Sequence, residues 1–195
     1  MSVNFIAYDP LLGAVSLMNV DTVGPGPENL TGGTGAGRMS FSFERIRGYD
    51  VNLGGGEFIY AQASGTISAG EVCQFTQTLT SGQLYNQAEA WAGTANSGDV
   101  LGVALVALTA NQWGWFQIAG NAIVNVSASP TVGAPAYWEA SGVISSTAVA
   151  SKQILGAHFA TASGVTLGSG NAAYTLSSTQ AILTMNKPTA QGAIT

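Results

Sequence analysis

The side chains that could do chemistry in this sequence are few and lie far apart. His158 is the only histidine and Cys73 is the only cysteine. A serine–histidine–aspartate triad would have to use His158, but no G-x-S-x-G elbow presents a nucleophilic serine. A metal site built on histidine or cysteine needs several such ligands. We therefore expect His158 to be a packed or surface residue, and Cys73 to be a small filler in a strand.

The carboxylates also lack a catalytic or metal-binding pattern. A glycosidase needs two acids at a set separation, and the acids after residue 53 are scattered across turns: Glu57, Glu71, Glu89, Asp99 and Glu139. No D-x-[DN]-x-[DN]-G calcium loop is present. The glycine-rich residues 32–38 (GGTGAGR) lack the Lys-Ser/Thr pair of a phosphate loop. The sequence predicts a protein that is not an enzyme and has no catalytic residue, cofactor or metal ion.

The composition favours a protein that works in contact with other proteins. Only 8% of the residues are charged, against about 25% in an average soluble protein, so Ser, Thr, Asn, Gln and Gly must build the surface. Such a surface is weakly defended against association; the alternative is a secreted β-protein with a polar, uncharged surface. The net charge of −5 argues against nucleic-acid binding. No window approaches about 18 uninterrupted apolar residues, so we expect no membrane span.

The elements that must position these side chains are strands, and residues 99–138 organise them. Residues 100–108 form an apolar run, and residues 113–118 (WGWFQI) and 122–126 (AIVNV) are strand-like. The Gly120-Asn121 dipeptide between the last two tolerates positive φ, and it predicts a tight hairpin. The segment is therefore predicted to be a β-meander that carries much of the core.

Further strand-like runs follow one another at intervals of 8 to 12 residues after residue 54. Residues 54–56 (GGG) are predicted to be a hinge-like break and residues 80–97 a loop, in which residues 87–95 are the only mild helical candidate. This pattern predicts an all-β fold of about nine short strands. It is a compact antiparallel β-barrel or a jelly-roll-like sandwich, and the sequence leaves both open.

The chain divides into three parts by composition. Residues 1–53 are predicted to be an extended N-terminal arm, with a Gly/Pro-rich linker at 24–38 and one alternating strand at 39–46 (MSFSFERI). Residues 54–188 form the β-barrel body and residues 189–195 a small polar tail. We expect residues 39–47 to add a strand to a neighbouring sheet edge.

Two groups of residues are candidates for packing and contact. Subunit or capsid contacts are expected from the arm, at Arg38, Phe41, Phe43, Arg45 and Arg47, because arginine pairs well with carboxylates on a neighbour. Core anchors are expected at Phe58, Tyr60, Trp113, Trp115, Phe116 and Trp138. Trp113 and Trp115 share one face of a strand; if exposed, they would stack on sugar rings as in a carbohydrate-binding module.

Three stretches together resemble the capsid decoration (cement) proteins of tailed bacteriophages. They are residues 48–60 (GYDVNLGGGEFIY), residues 112–123 (QWGWFQIAGNAI), and residues 133–138 with 153–156 (GAPAYW and QILG). In that family a G-G-E-F-x-Y strand opens the body, a G-W-[YF]-Q-I-x-G hairpin forms its centre, and a Q-I-x-G strand comes near the end. The resemblance covers roughly residues 48–188.

The resemblance implies a structural virion protein that assembles in the host cytoplasm. Such a protein is a small β-barrel on the outer surface of the head, commonly a homotrimer, that stabilises contacts between major capsid proteins. The expected partners are the major capsid protein and further copies of the chain. The alternative is a receptor- or glycan-binding surface protein of the phage head or tail that uses Trp113 and Trp115.

Overall fold

The computed structural model describes residues 5–9, 13–18, 20, 45–80, 83–169 and 173–193, and this part of the chain is all-β, as the sequence predicts. The strands are β1 (Ile6–Asp9), β2 (Gly13–Ser16), β3 (Arg45–Asp50), β4 (Gly54–Ala63), β5 (Val72–Thr80), β6 (Gln83–Ala90), β7 (Leu101–Ala104), β8 (Trp113–Asn125), β9 (Pro135–Ala140), β10 (Val143–Ser145), β11 (Gln153–Phe159), β12 (Thr166–Leu167), β13 (Tyr174–Thr175) and β14 (Gln180–Ala190). Within these ranges there is no helix that could span a membrane.

Twelve of the strands form one continuous sheet, and five of these close into a ring. β4 pairs with β8, β8 with β7, β7 with β5, β5 with β6, and β6 back with β4. The β4–β6 pairing is parallel, whereas the other ladders between these strands are antiparallel. All five ring strands contribute to one buried cluster of mostly small residues, which includes Ala61, Cys73, Ala88, Ala104 and Phe116. Small side chains suit so narrow a ring, because barrel diameter grows with strand number.

The long strand β8 joins the ring to the rest of the sheet. Its first half pairs with β4, and its second half pairs with β14, from Ala119↔Asn186 to Asn125↔Gln180. The predicted hairpin at Gly120-Asn121 is therefore wrong, because the chain continues through it as one strand. Gly120 does adopt a positive φ of 96°, but it serves a bulge instead of a reversal.

Two further clusters of buried side chains flank the ring. One lies between β8, β14, β11 and β9 and contains residues such as Val124, Ile154 and Leu183. The other contains Phe58 of β4 and the side chains that surround it. Both clusters use β8, so this single strand supports all three parts of the core.

Two local predictions fail because strands pair where the sequence looks like a loop. Gln83–Ala90, within the predicted loop at 80–97, is strand β6, and it pairs with β5 over its whole length. The mild helical candidate at 87–95 therefore begins in a strand. The glycines at 54–56 do not form a hinge, because they begin β4 and pair with β3.

The described residues before position 54 pack onto the body. β3 pairs with β4 from Arg45↔Ile59 to Asp50↔Gly54, so residues 45–47 pair within their own chain instead of with a neighbour. β1 joins the outer side of β3, and Phe5 and Leu17 are buried. The predicted linker at 24–38 and residues 39–44 of the predicted strand lie outside the described residues. At the other end, β14 continues to Ala190, past the expected boundary at 188.

Trp138 of β9 is held flat against the loop that follows β6. Its indole Nε1 donates a hydrogen bond of 3.2 Å to the Trp91 carbonyl, and the Lys152 ammonium lies 3.8 Å from the ring centroid. A Cβ on Gly93, which has a φ of +69°, would collide with the indole. The indole thus occupies the space that a side chain at Gly93 would need.

We predict that Gly93→Ala lowers the free energy of unfolding by about 2–4 kcal/mol, because strain at positive φ and overpacking add. Gly133→Ala is the matched control, since Gly133 also has a positive φ (+80°) but no atom near its Cβ position. The free energy of unfolding of the control should fall by only about 1–2 kcal/mol. Urea denaturation measures both variants, and equal losses would contradict the role given to Trp138.

Candidate functional site

The bulge in β8 shapes the outer surface beside β3 and β4. The register between β4 and β8 shifts after Glu57, so that Ile118 has no residue opposite it. Gly120 follows with positive φ, and a Cβ there would collide with the Gly55 carbonyl. Only glycine lets the two backbones approach this closely.

Side-chain amides replace the ladder hydrogen bonds that the bulge interrupts. The buried Gln117 donates from Nε2 to the carbonyls of Ala119 (3.0 Å) and Asn121 (3.1 Å). Asn121 donates from Nδ2 to the Leu53 carbonyl at 3.1 Å, and its Oδ1 accepts from the Thr184 hydroxyl at 2.7 Å. These bonds tie the bulge to β14 and to the turn that precedes β4.

A shallow groove of about 280 Å³ opens on the solvent side of this region. Its floor is mostly backbone, because four of its lining residues are glycines: it is lined by Arg47, Gly48, Gly55, Gly56, Glu57, Ala119 and Gly120. A partner can therefore approach the main chain closely there, since few of the described side chains stand above it.

Positive charge collects around this groove, on what we call the basic face: Arg45, Arg47 and Tyr49 of β3 with Lys187 of β14. The three β3 residues alternate toward solvent. The side chains of Arg47 and Lys187 are 87% and 54% exposed, and Tyr49 is 57% exposed. The face thus offers mobile cations and an accessible aromatic ring.

One carboxylate joins the cations of the basic face. Glu57 of β4 lies 3.6 Å from Arg47 Nη2 and 3.8 Å from Lys187 Nζ. Both pairs reach solvent, so each contributes at most about 1 kcal/mol. Among the described side chains, three cations minus one carboxylate leave +2 on this face, although the whole chain carries −5. The surface is therefore electrostatically opposite to the chain as a whole.

The predicted contact residues fall partly within this face. Arg45 and Arg47 are exposed on β3, whereas Arg38, Phe41 and Phe43 lie outside the described residues. Of the expected core anchors, five are buried and Trp138 is partly buried: Phe58, Tyr60, Trp113, Trp115 and Phe116. The structure does not bring these anchors into the basic face.

The two tryptophans expected either in the core or on a sugar-binding surface are buried. Trp113 is 5% exposed and Trp115 is 4% exposed. Tyr60 contacts both rings, with centroids 5.5 Å from Trp113 and 5.0 Å from Trp115, and Tyr85 covers Trp113 from β6 at 5.2 Å. A sugar ring cannot stack on either indole without displacing these neighbours.

The side chains with chemical potential are separated. His158 is exposed on β11, opposite Thr184 and Pro135. Cys73 is fully buried, and burial raises the pKa of its thiol well above the usual value, with smaller contributions from the charges of Glu71 and Glu89. In the described ranges, no three His, Cys, Asp or Glu side chains are grouped to hold a metal ion.

Several residues of the site were missed by sequence reasoning. Lys187 lies far along the chain from β3, and no local pattern places it beside Arg47. Gln117 and Asn121 were part of the predicted hairpin, so their side chains had no assigned role. The available signal was the presence of Gln117 and Asn121 close to Gly120 within an apolar run. Side-chain amides of this kind can hydrogen-bond to the backbone groups that a bulge leaves unpaired.

Comparison with known proteins adds little. No protein-family model matches the chain, and no curated protein matches it. Among solved structures, the chain is similar to the N base of head fiber gp8.5 of bacteriophage phi29, with 11% sequence identity and a TM-score of 0.46. The match covers 68% of this chain and 95% of that one.

We predict that Gln117→Met lowers the free energy of unfolding by about 2–3 kcal/mol, because two carbonyls in the bulge lose their donor in the interior. Gln62→Met is the control: Gln62 also donates to a carbonyl, that of Asn111 at 3.3 Å, but in an exposed setting. The free energy of unfolding of this control should fall by less than about 0.5 kcal/mol. Thermal and urea unfolding measure both variants, and a similar loss in both would contradict the role of the bulge.

We also predict that Cys73 reacts with a thiol reagent only as fast as the protein opens. Since the folded state keeps the thiol protonated, its contribution to stability is fully present below the usual thiol pKa of 9.0 and declines as the pH rises above it. The labelling rate should therefore follow the denaturant dependence of opening, and Cys73→Ala should reduce the loss of stability above pH 9. Rapid labelling of the native protein at neutral pH would contradict this.

Proposed function

We propose that this chain is a structural protein of a tailed-phage virion, which binds the outside of the head and stabilises contacts between major capsid proteins. The observation that carries the proposal is the basic face. Arg47 lines a glycine-floored groove, Lys187 pairs with Glu57 of the same groove, and Arg45 is exposed two residues from Arg47 on β3, on a chain whose net charge is −5. A face of opposite sign to the rest of the molecule orients it on an acidic partner.

The same face offers more than charge. Tyr49 and Val51 are 57% and 69% exposed at the end of β3. Aromatic residues and arginines are enriched where protein interfaces are most tightly packed. The exposed backbone at Gly55 lets a partner approach closely beside them. The proposed contact on the major capsid protein is therefore an acidic surface with an apolar element that meets Tyr49 and Val51.

The motifs that resemble phage decoration proteins support the proposal through their position. Residues 48–60 and 112–123 pair directly in the structure, from Gly56↔Gly120 to Tyr60↔Trp115. They include half of β3 and most of β4 and β8, the strands around the groove. The resemblance is therefore concentrated in the same region as the proposed contact surface.

Repetition around a shell would multiply a weak contact. Two exposed ion pairs and one aromatic ring give modest affinity alone, but copies that also touch one another raise the effective concentration of each contact. The proposed partners are accordingly the major capsid protein and further copies of this chain, as in the homotrimer that the resemblance implies. The proposed location is the outer surface of the virion, after assembly in the host cytoplasm, and the proposed role is structural without catalysis or a cofactor.

The test is binding of the purified chain to empty heads of the phage that encodes it. We expect the double variant Arg45→Gln/Arg47→Gln to bind about tenfold more weakly, because it removes two of the three cations of the basic face. Binding of the wild type should also weaken as salt is raised. Co-sedimentation with heads, at several protein and salt concentrations, measures both effects.

The matched control changes the net charge by the same amount elsewhere. Thr131→Glu/Val132→Glu adds two negative charges in the turn before β9, where both residues are exposed, and it should bind like the wild type. If the control loses as much affinity as the arginine variant, the basic face is not the contact. If the wild type does not bind heads at all, the proposed function itself is refuted.

A further inference from the structure

Among the described residues, the outer edge of β5 is unpaired over its second half. β7 pairs with β5 only from Val72 to Gln74, and the Phe75 amide donates the last hydrogen bond across this edge, to the Val100 carbonyl at 3.1 Å. Before Val100 the chain turns toward the end of β14, since Val100 bridges to Thr189 and residue 97 bridges to residue 192. In the described part of the chain, no strand pairs with this edge of β5 beyond residue 75.

The backbone alternation shows which groups point to the open edge. Since the Phe75 amide points away from β6, the main-chain groups of Gln77 and Leu79 point the same way. The intervening residues Thr76 and Thr78 direct their backbone groups to β6 instead. Gln77 is exposed, and Leu79 is 69% exposed. Two N–H donors and two carbonyl acceptors therefore line a short, straight stretch of edge.

This edge lacks the features that keep natural sheet edges apart. Residues 75–80, which form the open part of β5, contain no Lys, Arg, Asp, Glu or Pro, and the one charged residue of the β5–β6 hairpin is Glu89, opposite Gln74 at the other end. Edge strands are usually protected by inward or flanking charges, prolines or bulges. The hairpin has a regular register from Cys73↔Ala90 to Thr80↔Gln83 without a bulge. Nothing in residues 75–80 opposes pairing with another strand.

We propose that this edge pairs with the same edge of a second copy of the chain, antiparallel and about a two-fold axis centred on Thr78. In this register Gln77 of each copy lies opposite Leu79 of the other, and Thr78 lies opposite itself. Gln77 and Leu79 of one copy then form four backbone hydrogen bonds with Leu79 and Gln77 of the other. The N–H and C=O groups of both residues are thereby paired on each copy. A two-fold contact requires such a self-complementary patch.

The neutral edge admits a second copy as the occupant. Each chain carries −5, so two copies repel through most of their surfaces, but residues 75–80 carry no charge and can pair without like-charge contact. The contact is small and therefore weak alone. It does not depend on the proposed capsid role; if that role holds, the two-fold contact would join trimers, because two-fold axes of an icosahedral shell relate neighbouring three-fold positions.

Disulfide trapping tests the register directly. Thr78→Cys places two thiols opposite each other in a non-hydrogen-bonded pair, where Cβ atoms lie about 4.5–5.5 Å apart. Thr76→Cys is the matched control on the same face: the two Thr76 positions are offset by four residues, about 13 Å, which is beyond disulfide reach. Thr76 is also the more exposed of the two, so random collision would favour the control.

We expect the Thr78→Cys dimer to form at least tenfold faster than the Thr76→Cys dimer under mild oxidation, as read on non-reducing gels. Adding Gln77→Pro to Thr78→Cys should abolish the advantage, because it removes a donor of the open edge but none within the hairpin. As a cysteine-free readout, the wild type should associate weakly with rising concentration in sedimentation, and Leu79→Lys should not.

Equal rates for the two cysteine variants, or no dimer from either, would overturn the two-fold contact. So would an association of the wild type that Leu79→Lys leaves unchanged. Head binding by the wild type is measured separately. If these variants bind heads normally and the trapping fails, the edge contact is refuted while the proposed capsid role stands.

Discussion

The structure depends on one strand, β8, which is paired along its whole length but with three different strands in turn. β8 contacts β4 and β7 with its first half and β14 with its second half. A straight strand cannot follow three partners whose directions diverge, so the backbone bends at the bulge beside Gly120. The side-chain amides of Gln117 and Asn121 stabilise this bend, because they donate hydrogen bonds to nearby backbone carbonyls. The ring, the outer strands and the groove all follow from this bend.

The low charge of the chain is consistent with this architecture. The fourteen strands of the described residues leave many turns, several of which contain glycine, serine or asparagine at positive φ or side chains that cap their own backbone. An example is Asp50, whose carboxylate accepts from the amides of Asn52 and Leu53 at 2.8 and 3.0 Å. Polar side chains in these turns thus hydrogen-bond to the backbone of their own segment. The few cations that remain for the surface are concentrated at Arg45, Arg47 and Lys187.

Sequence reasoning found the fold class but misread its centre, for a physical reason. Gly120-Asn121 needs positive φ in a hairpin and in a bulge alike, so local chemistry cannot separate the two; the pairing of both flanks with distant strands decides. β6 was missed because Gln83–Ala90 is mostly polar and lacks an apolar alternation. Arg45 and Arg47 were recognised as a cluster, whereas the contribution of Lys187 depends on a contact across the sheet that no sequence spacing reveals.

The sharing of β8 also governs how the chain reaches its native state. β4 precedes β8 by more than fifty residues and β14 follows it by a similar interval, so the central ladders are non-local. Folding rates fall as such separations grow, because loop-closure entropy is lost before the contacts form. Until β8 docks, both neighbours expose bare edges of nearly uncharged sequence. We therefore expect the recombinant protein to aggregate least when it folds slowly, at low temperature and low protein concentration.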